Sequence, residues 1–291
     1  AYMNIKQLII FKYFVEEQNE NVVAAKLNIT QPTVRFHLKN LNSTYGVDLY
    51  YKKGKHFKLT QPGELLYRNA NKVLNLIQET NELMTDFEQS TRGILKIGAS
   101  HAPVYSLLPN AFRKYMNDYP NVELSLTVET APVITEKVKN RDVEIGIISE
   151  KGLNEPDINV KRLFENPIML AMDKSHPLAK QNDISITEIL EYPFIIHSSG
   201  STRESINEWQ RDNFIDLQIQ MQSNNLSSIL ETIRDSKFLS LISQSAIQYQ
   251  DNIIAKTLPN PPASRYISLI YRSDRYMTPL IQHFVSLVYK V

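Results

Sequence analysis

The chain has 291 residues, 42% of them hydrophobic, with no cysteine and a formal net charge of only +1. This length predicts two or three domains with sizeable cores, and the lack of cysteine excludes disulfides, thiolate nucleophiles and Cys-ligated zinc or iron–sulfur sites. The sequence opens on neither a secretory leader nor a long apolar span, so it reads as soluble and cytoplasmic, with Met3 as the natural start and Ala1-Tyr2 as an expression remnant.

Ile5, Leu8, Phe11, Phe14 and Val15 share one helical face. A second short helix fits Val22 to Leu27, where the small Ala24-Ala25 pair lets another helix come close. Asn28-Ile29 makes a turn. Thr30 is an expected N-cap, and Pro32 is tolerated in the first turn of the next helix because its missing N–H is not needed there. Val34, Leu38 and Leu41 point inward at i, i+4, i+7, while Gln31, Thr33, Arg35, Phe36 and Lys39 turn partly or wholly outward. Beyond Gly46, Val47–Tyr51 and His56–Leu59 predict two strands around Lys52-Lys53-Gly54-Lys55, a basic wing.

From Lys26 to Lys72 there are nine Lys or Arg side chains, and the anions are Asp48 and Glu64 alone. Positive charge gathered at one end of a nearly neutral chain points to nucleic acid. Gln and Arg suit base edges through paired hydrogen bonds, and Lys neutralises phosphate. The candidate DNA-contacting residues are therefore Gln31, Pro32, Thr33, Arg35, Phe36 and Lys39, with Lys52, Lys53 and Lys55 on the backbone. An ordinary helical domain with a solvated Lys-rich face is the alternative; it does not account for the cap, the helix spacing and the wing occurring together.

The stretch resembles the winged helix-turn-helix of LysR-type transcriptional regulators. The matching residues are Ala24-Ala25, Thr30-Gln31-Pro32, Leu41, Gly46-Val47-Asp48-Leu49-Tyr50 and Leu59-Thr60-Gln61-Pro62-Gly63. Arg35 stands where the family commonly has Ser, and Phe36 where it often has a polar residue.

Thr60 and Pro62 start a long helix. Leu66, Ala70, Val73, Ile77, Thr80, Met84 and Phe87 recur at alternating steps of four and three, the pattern of a coiled-coil seam. Leu66, Ala70, Val73, Ile77 and Met84 are the candidate dimerisation residues; the alternative is a helix packed on its own domain. The resemblance implies a homodimer through this helix, with two reading heads on a two-fold-related DNA site, and a homotetramer beyond it. Gln89-Ser90-Thr91-Arg92-Gly93 reads as a hinge.

From Ile94 onward strands alternate with helices. Strands are expected at Ile94–Gly98, Val122–Val128, Val143–Ile148, Ile168–Met172, Phe194–Ile196, Gln218–Met221, Phe238–Ile242 and Tyr266–Tyr271, in a largely parallel α/β sheet. Helices are expected at Val104–Met116, Pro132–Asn140 and Thr278–Tyr289. The resemblance implies two Rossmann-like subdomains, as in periplasmic binding proteins, crossed twice by the chain. The expected fold class is thus α+β and α/β. Residues 1–60 form the winged head and 61–92 the linker helix and hinge. Residues 93–166 with 267–291 form effector subdomain I, and 167–266 form subdomain II.

Strand-to-helix junctions are where small anions meet helix N-termini and free N–H groups. Three stand out: Gly98-Ala99-Ser100-His101, Glu129-Thr130-Ala131-Pro132, and Ser198 to Glu204. The last resembles the Gly-Ser-Gly-Thr-Arg phrase of many LysR-type effector domains. Each alone reads as a helix cap; together they fall where the family places its effector cleft. The candidate effector residues are Ser100, His101, Thr130, Ser149, Ser199, Thr202 and Arg203, for a small polar or anionic metabolite. Arg203 suits either a carboxylate ligand or a local salt bridge.

An enzyme is not expected. There is no Gly-x-Ser-x-Gly and no phosphate-cradling glycine loop. His37, His56, His101, His176, His197 and His283 show no metal-ligand spacing, so neither metal nor cofactor is expected; His37 reads as DNA-facing or surface. A solute-binding protein would not explain the basic head, nor an architectural DNA binder the α/β region.

Overall fold

The computed structural model describes residues 2–86 and 92–290, which form two compact units divided at residues 88 and 89. Phe87 of the expected seam and hinge residues Gln89 to Thr91 lie outside the described residues.

The first unit runs α1 (Ile5–Glu17), α2 (Glu20–Leu27), α3 (Gln31–Tyr45), β1 (Tyr50–Lys53), β2 (His56–Leu59) and α4 (Gln61–Asp86). Asn4 and Gln7 form a reciprocal capping box that starts α1. Ile10, Phe11, Phe14, Val23, Val34, Leu38 and Leu41 fill the core. Ile5 is exposed instead of inward, and Ile10 takes the buried place. Of the small pair only Ala24 is buried; Ala25 faces solvent. The wing pairs Lys52 with Phe57 and Lys53 with His56, so both lysines belong to β1 and Gly54-Lys55 alone turn the chain. Gln18 ties the wing to α1: its Oε1 accepts the Phe57 N–H at 2.8 Å.

Two expected seam residues of α4 face their own head. Ala70 is buried and Leu66 is half-buried against the head core, because the start of α4 packs on α1. Val73 and Met84 are exposed, and so are Leu65 and Leu76, which the four-and-three spacing passes over.

The second unit begins with β3 (Gly93–Ala99), α5 (His101–Val104), α6 (Leu108–Asp118), β4 (Val122–Val128), α7 (Ala131–Lys139), β5 (Ile145–Glu150) and β6 (Ile158–Asn166). It continues with β7 (Ile168–Asp173), α8 (Ile186–Ile189), β8 (Phe194–His197), α9 (Gly200–Asn213), β9 (Ile219–Ser223) and α10 (Leu226–Ile233). It ends with β10 (Ser240–Ser243), α11 (Gln244–Ile247), β11 (Ile253–Thr257), β12 (Arg265–Arg272) and α12 (Pro279–Tyr289).

One five-stranded sheet has the order β4-β3-β5-β12-β6. Its β3–β4 and β3–β5 pairings are parallel, while β12 runs antiparallel to both β5 and β6. The expectation of a largely parallel sheet is therefore corrected: β12 returns from the other half of the unit and inserts against the grain. A second sheet, β10-β7-β11, is wholly antiparallel, and parallel β8–β9 joins it through a Phe194–Leu239 bridge. Leu95, Ile97, Tyr115, Ile147 and Phe284 fill one core; Phe194, Ile206 and Trp209 anchor another. The expected helix from Val104 to Met116 is broken into α5 and α6, since Pro109 is tolerated only in a first turn. No described helix is long and apolar enough to cross a membrane.

Candidate functional site

Helix α3 shows two chemically opposite faces. Val34, Leu38 and Leu41 are fully buried, and the other side presents Pro32, Arg35, Phe36 and Lys39 to solvent. Thr30 caps the helix by accepting the Thr33 N–H at 3.3 Å, and the two threonine hydroxyls lie 2.7 Å apart. Lys39, Lys52, Lys53 and Lys55 are exposed and have no carboxylate partner among the described residues. The basic face thus keeps its charge for something outside the chain. His37, expected to face DNA or solvent, is half-buried with its Nδ1 enclosed; burial first, then the Lys6 charge, holds it below its ordinary pKa.

Arg35 and Gln31 differ from the lysines. Glu20, in the first turn of α2, accepts from Arg35 Nε at 3.2 Å and Nη2 at 3.1 Å, and from the Gln31 amide. The same carboxylate lies near Tyr50, whose phenol is raised above its ordinary pKa by burial first and then by Glu20. Glu20 escaped sequence reasoning because eleven and fifteen residues separate it from its partners, and no periodicity links them.

The second candidate site gathers at the C-terminal ends of β3, β4 and β5. Ser100 is the N-cap residue of α5, yet its hydroxyl makes no cap bond; its Oγ accepts the Ser149 N–H at 2.9 Å instead. Both serines are buried, and the Ser100 proton remains available to another acceptor. Thr130 and Ser199, at the starts of α7 and α9, are exposed and likewise make no side-chain cap bond. Thr202 is half-buried in the first turn of α9.

Contacts bring α9 to this sheet edge. Lys151, just past β5, reaches Glu208 at 3.0 Å, and Arg265 of β12 bonds Ser205 at 3.0 Å and Glu204 at 2.9 Å. His197, at the end of β8, is pulled down to a pKa of about 4 by burial and then by the His101 charge, so it stands neutral near exposed His101. Sequence reasoning noted His197 only as a non-ligand; the fold puts it near His101, at the start of α5. Arg203 resolves toward the local reading without a salt bridge. It donates to Asn207 Oδ1 at 3.0 Å, to the His197 carbonyl at 3.0 Å and to Gln222. A groove of about 570 Å³ lies elsewhere, lined by Asn207, Gln210, Arg211, Phe214, Ile215 and Asp216, and contains none of the expected effector residues.

Two family models match the chain: the bacterial regulatory helix-turn-helix of the lysR family over residues 5–64, and the LysR substrate binding domain over residues 88–291. The transcriptional activator CmpR of Synechocystis sp. is 22% identical over 289 residues, spanning 98% of this chain and 94% of that protein. The transcriptional regulator CysL of Bacillus subtilis is 27% identical over 235 residues, 80% of this chain and 78% of that one. Among solved structures, full-length OxyR from Pseudomonas aeruginosa superposes with a TM-score of 0.73 at 20% identity, covering 99% of this chain and 95% of that one. CbnR in complex with its target DNA gives 0.70 at 19% identity, with 99% of both chains covered. The two models together span nearly the whole sequence, and the chain belongs to the LysR family of transcriptional regulators, with a DNA-binding head and an effector-binding domain.

Proposed function

We propose that the outward face of α3 reads the major groove while the wing holds the backbone. Gln31, Thr33, Arg35 and Phe36 face the bases, and Lys39, Lys52, Lys53 and Lys55 neutralise phosphates. The observation that carries this reading is the exposed face of α3, with Lys39 unpaired among the described residues, over fully buried Val34, Leu38 and Leu41. Residues 1–60 act as the head, 61–92 as the dimerising linker, and 93–166 with 267–291 and 167–266 as two effector subdomains, in a cytoplasmic homodimer that assembles further into a tetramer. The return of β12 and α12 to the first sheet and core supports that division. The test is selection from a random duplex library. Arg35→Ala should cost about 1–3 kcal/mol and relax preference at one base, whereas Lys53→Ala should weaken all sequences alike and lower the salt slope by about one. A wild-type protein that enriches no sequence would sink the reading.

The effector is a small polar or anionic metabolite held between the subdomains by Ser100, Thr130, Ser199 and Thr202, with His101 and the Ser149 strand end beside them. Its binding shifts the population between two assembly geometries. What supports this is the set of hydroxyls at strand ends whose own helices leave them uncapped. Arg203 braces the β8 end instead of pairing with the ligand. A thermal-shift screen of organic acids, amino acids and sulfur metabolites finds candidates, since a ligand that binds only the folded state raises stability. Thr202→Val should then cost about 1–3 kcal/mol of binding by calorimetry. Ser100→Val should cost a similar amount, but it also orphans the Ser149 N–H, so Thr202→Val is the cleaner variant. Wild-type affinity in both would remove this cleft from consideration.

A further inference from the structure

Arg35 is the most exposed member of an arrangement that Glu20 organises. The Glu20 side chain is only 15% exposed, against 57% for Arg35, so the anchored partner is the carboxylate and the presented one is the guanidinium. A guanidinium carries five N–H donors in a fixed fork. Glu20 engages Nε and Nη2, one edge of that fork. The distal end, made of Nη1 and the second Nη2 hydrogen, has no partner among the described residues, and this is the pair that fits guanine O6 and N7. Gln31 lies one turn before Arg35, on the same face of α3. Its amide nitrogen also donates to Glu20, which ties down the amide plane and leaves one N–H and the carbonyl oxygen for another partner. That remaining pair fits adenine N7 and N6.

We infer that Glu20 is a positioning residue for base recognition: its carboxylate holds Arg35 and Gln31 as one preset array of hydrogen-bonding edges. The inference rests on the reading of α3 as the base-reading helix. It also makes Arg35 unlike Lys39 or Lys53. Pairing with Glu20 neutralises most of the Arg35 charge, so the residue adds little to sequence-independent attraction and acts by its shape. Removing the carboxylate releases a flexible cation, which should strengthen non-specific binding while discrimination falls. A merely structural role would lower both together.

The experiment is selection of full-length wild type, Glu20→Ala, Arg35→Ala and the double variant from a random duplex library. Titrations on the enriched duplex and on scrambled DNA at several salt concentrations follow. Wild type should favour guanine at one position by roughly tenfold or more. Glu20→Ala should lose most of that preference, bind scrambled DNA at least as tightly as wild type, and show a salt slope steeper by up to about one. The double variant should discriminate no worse than Arg35→Ala alone. Glu20→Ser, also too short to reach Arg35, replaces Glu20→Ala should the latter fail to fold. Full wild-type base preference in the Glu20 variant overturns the inference, as does specific binding that tightens with preference unchanged, which would make the pair a brake. A wild-type library with no enriched sequence overturns the α3 reading itself, a separate result.

Discussion

Gly63→Ala is expected to unfold the DNA-binding head or destabilise it by about 3 kcal/mol or more, beyond the usual range for overpacking. A Cβ at Gly63 would lie 1.8 Å from the Leu49 carbonyl oxygen and 2.8 Å from its carbon. Those atoms cannot move aside. Leu49 is buried in the head core, and its carbonyl accepts the Thr60 N–H at 3.1 Å. Thr60 Oγ1 donates to the Asp48 carbonyl at 2.6 Å and accepts the Gly63 N–H at 3.2 Å, so the start of α4 is fastened to the Asp48-Leu49 segment it would have to leave. Helix propensity argues the other way: Ala is better than Gly inside a helix by about 1 kcal/mol. The contact distance decides against it. Gly46 supplies the comparison, because its φ of +65° strains an alanine but nothing lies within 4 Å of the added carbon; Gly46→Ala should cost only about 1–2 kcal/mol. Hydrogen exchange of head amides in the full chain measures both. Wild-type protection in Gly63→Ala would mean that α4 does not approach Leu49 this closely in solution.

The same motif shows why the head was so legible. Leu-Thr-x-x-Gly, Thr-Gln-Pro and the i, i+4, i+7 apolar triad each encode a contact that is local or geometrically forced: a capping hydroxyl, a helix start, a core face. What stayed hidden depends on distant partners. Glu20 acquires its place only when α2 and α3 fold together. Strands β6 and β11 were missed because Ile158–Asn166 alternates irregularly and carries Lys161, Arg162 and Glu165, and Ile253–Thr257 is only five residues long. The place of β12 between β5 and β6 is a matter of long-range pairing that no local period encodes. The strand-to-helix junctions were visible as cap-like phrases, whereas the neutral His197 near His101 and the local ties of Arg203 depend on partners distant in sequence.

Converting Val73 and Leu76 together to Asp is expected to turn the dimer into monomers while leaving each protomer folded. Near its start helix α4 lays Leu66, Tyr67 and Ala70 on the head, whereas Leu65 and, farther along, Val73, Leu76 and Met84 are exposed. Leu65 and Leu76 are eleven residues apart, as are Val73 and Met84. Eleven residues are about three helical turns, so each pair lies in line, and the three-residue step from Val73 to Leu76 sets the two rows side by side in one broad apolar band. Large apolar groups aligned on a long helix call for a partner, and a two-fold dimer meets each stripe with its own copy. In the monomer Val73 and Leu76 already face water, so aspartate there costs the fold little. Across a two-fold seam the same change buries four carboxylates, a desolvation penalty of several kcal/mol. Light scattering at micromolar concentration should show the mass halved or lower, and affinity for a two-half-site duplex should fall by about 10²–10⁴ as the second head loses its tether. Ala70→Asp would be a misleading choice, because it buries a charge inside the head and confounds unfolding with dissociation. Unchanged mass in the Val73/Leu76 variant would place the dimer contact away from this stripe, and the exposed leucines would then need a different partner.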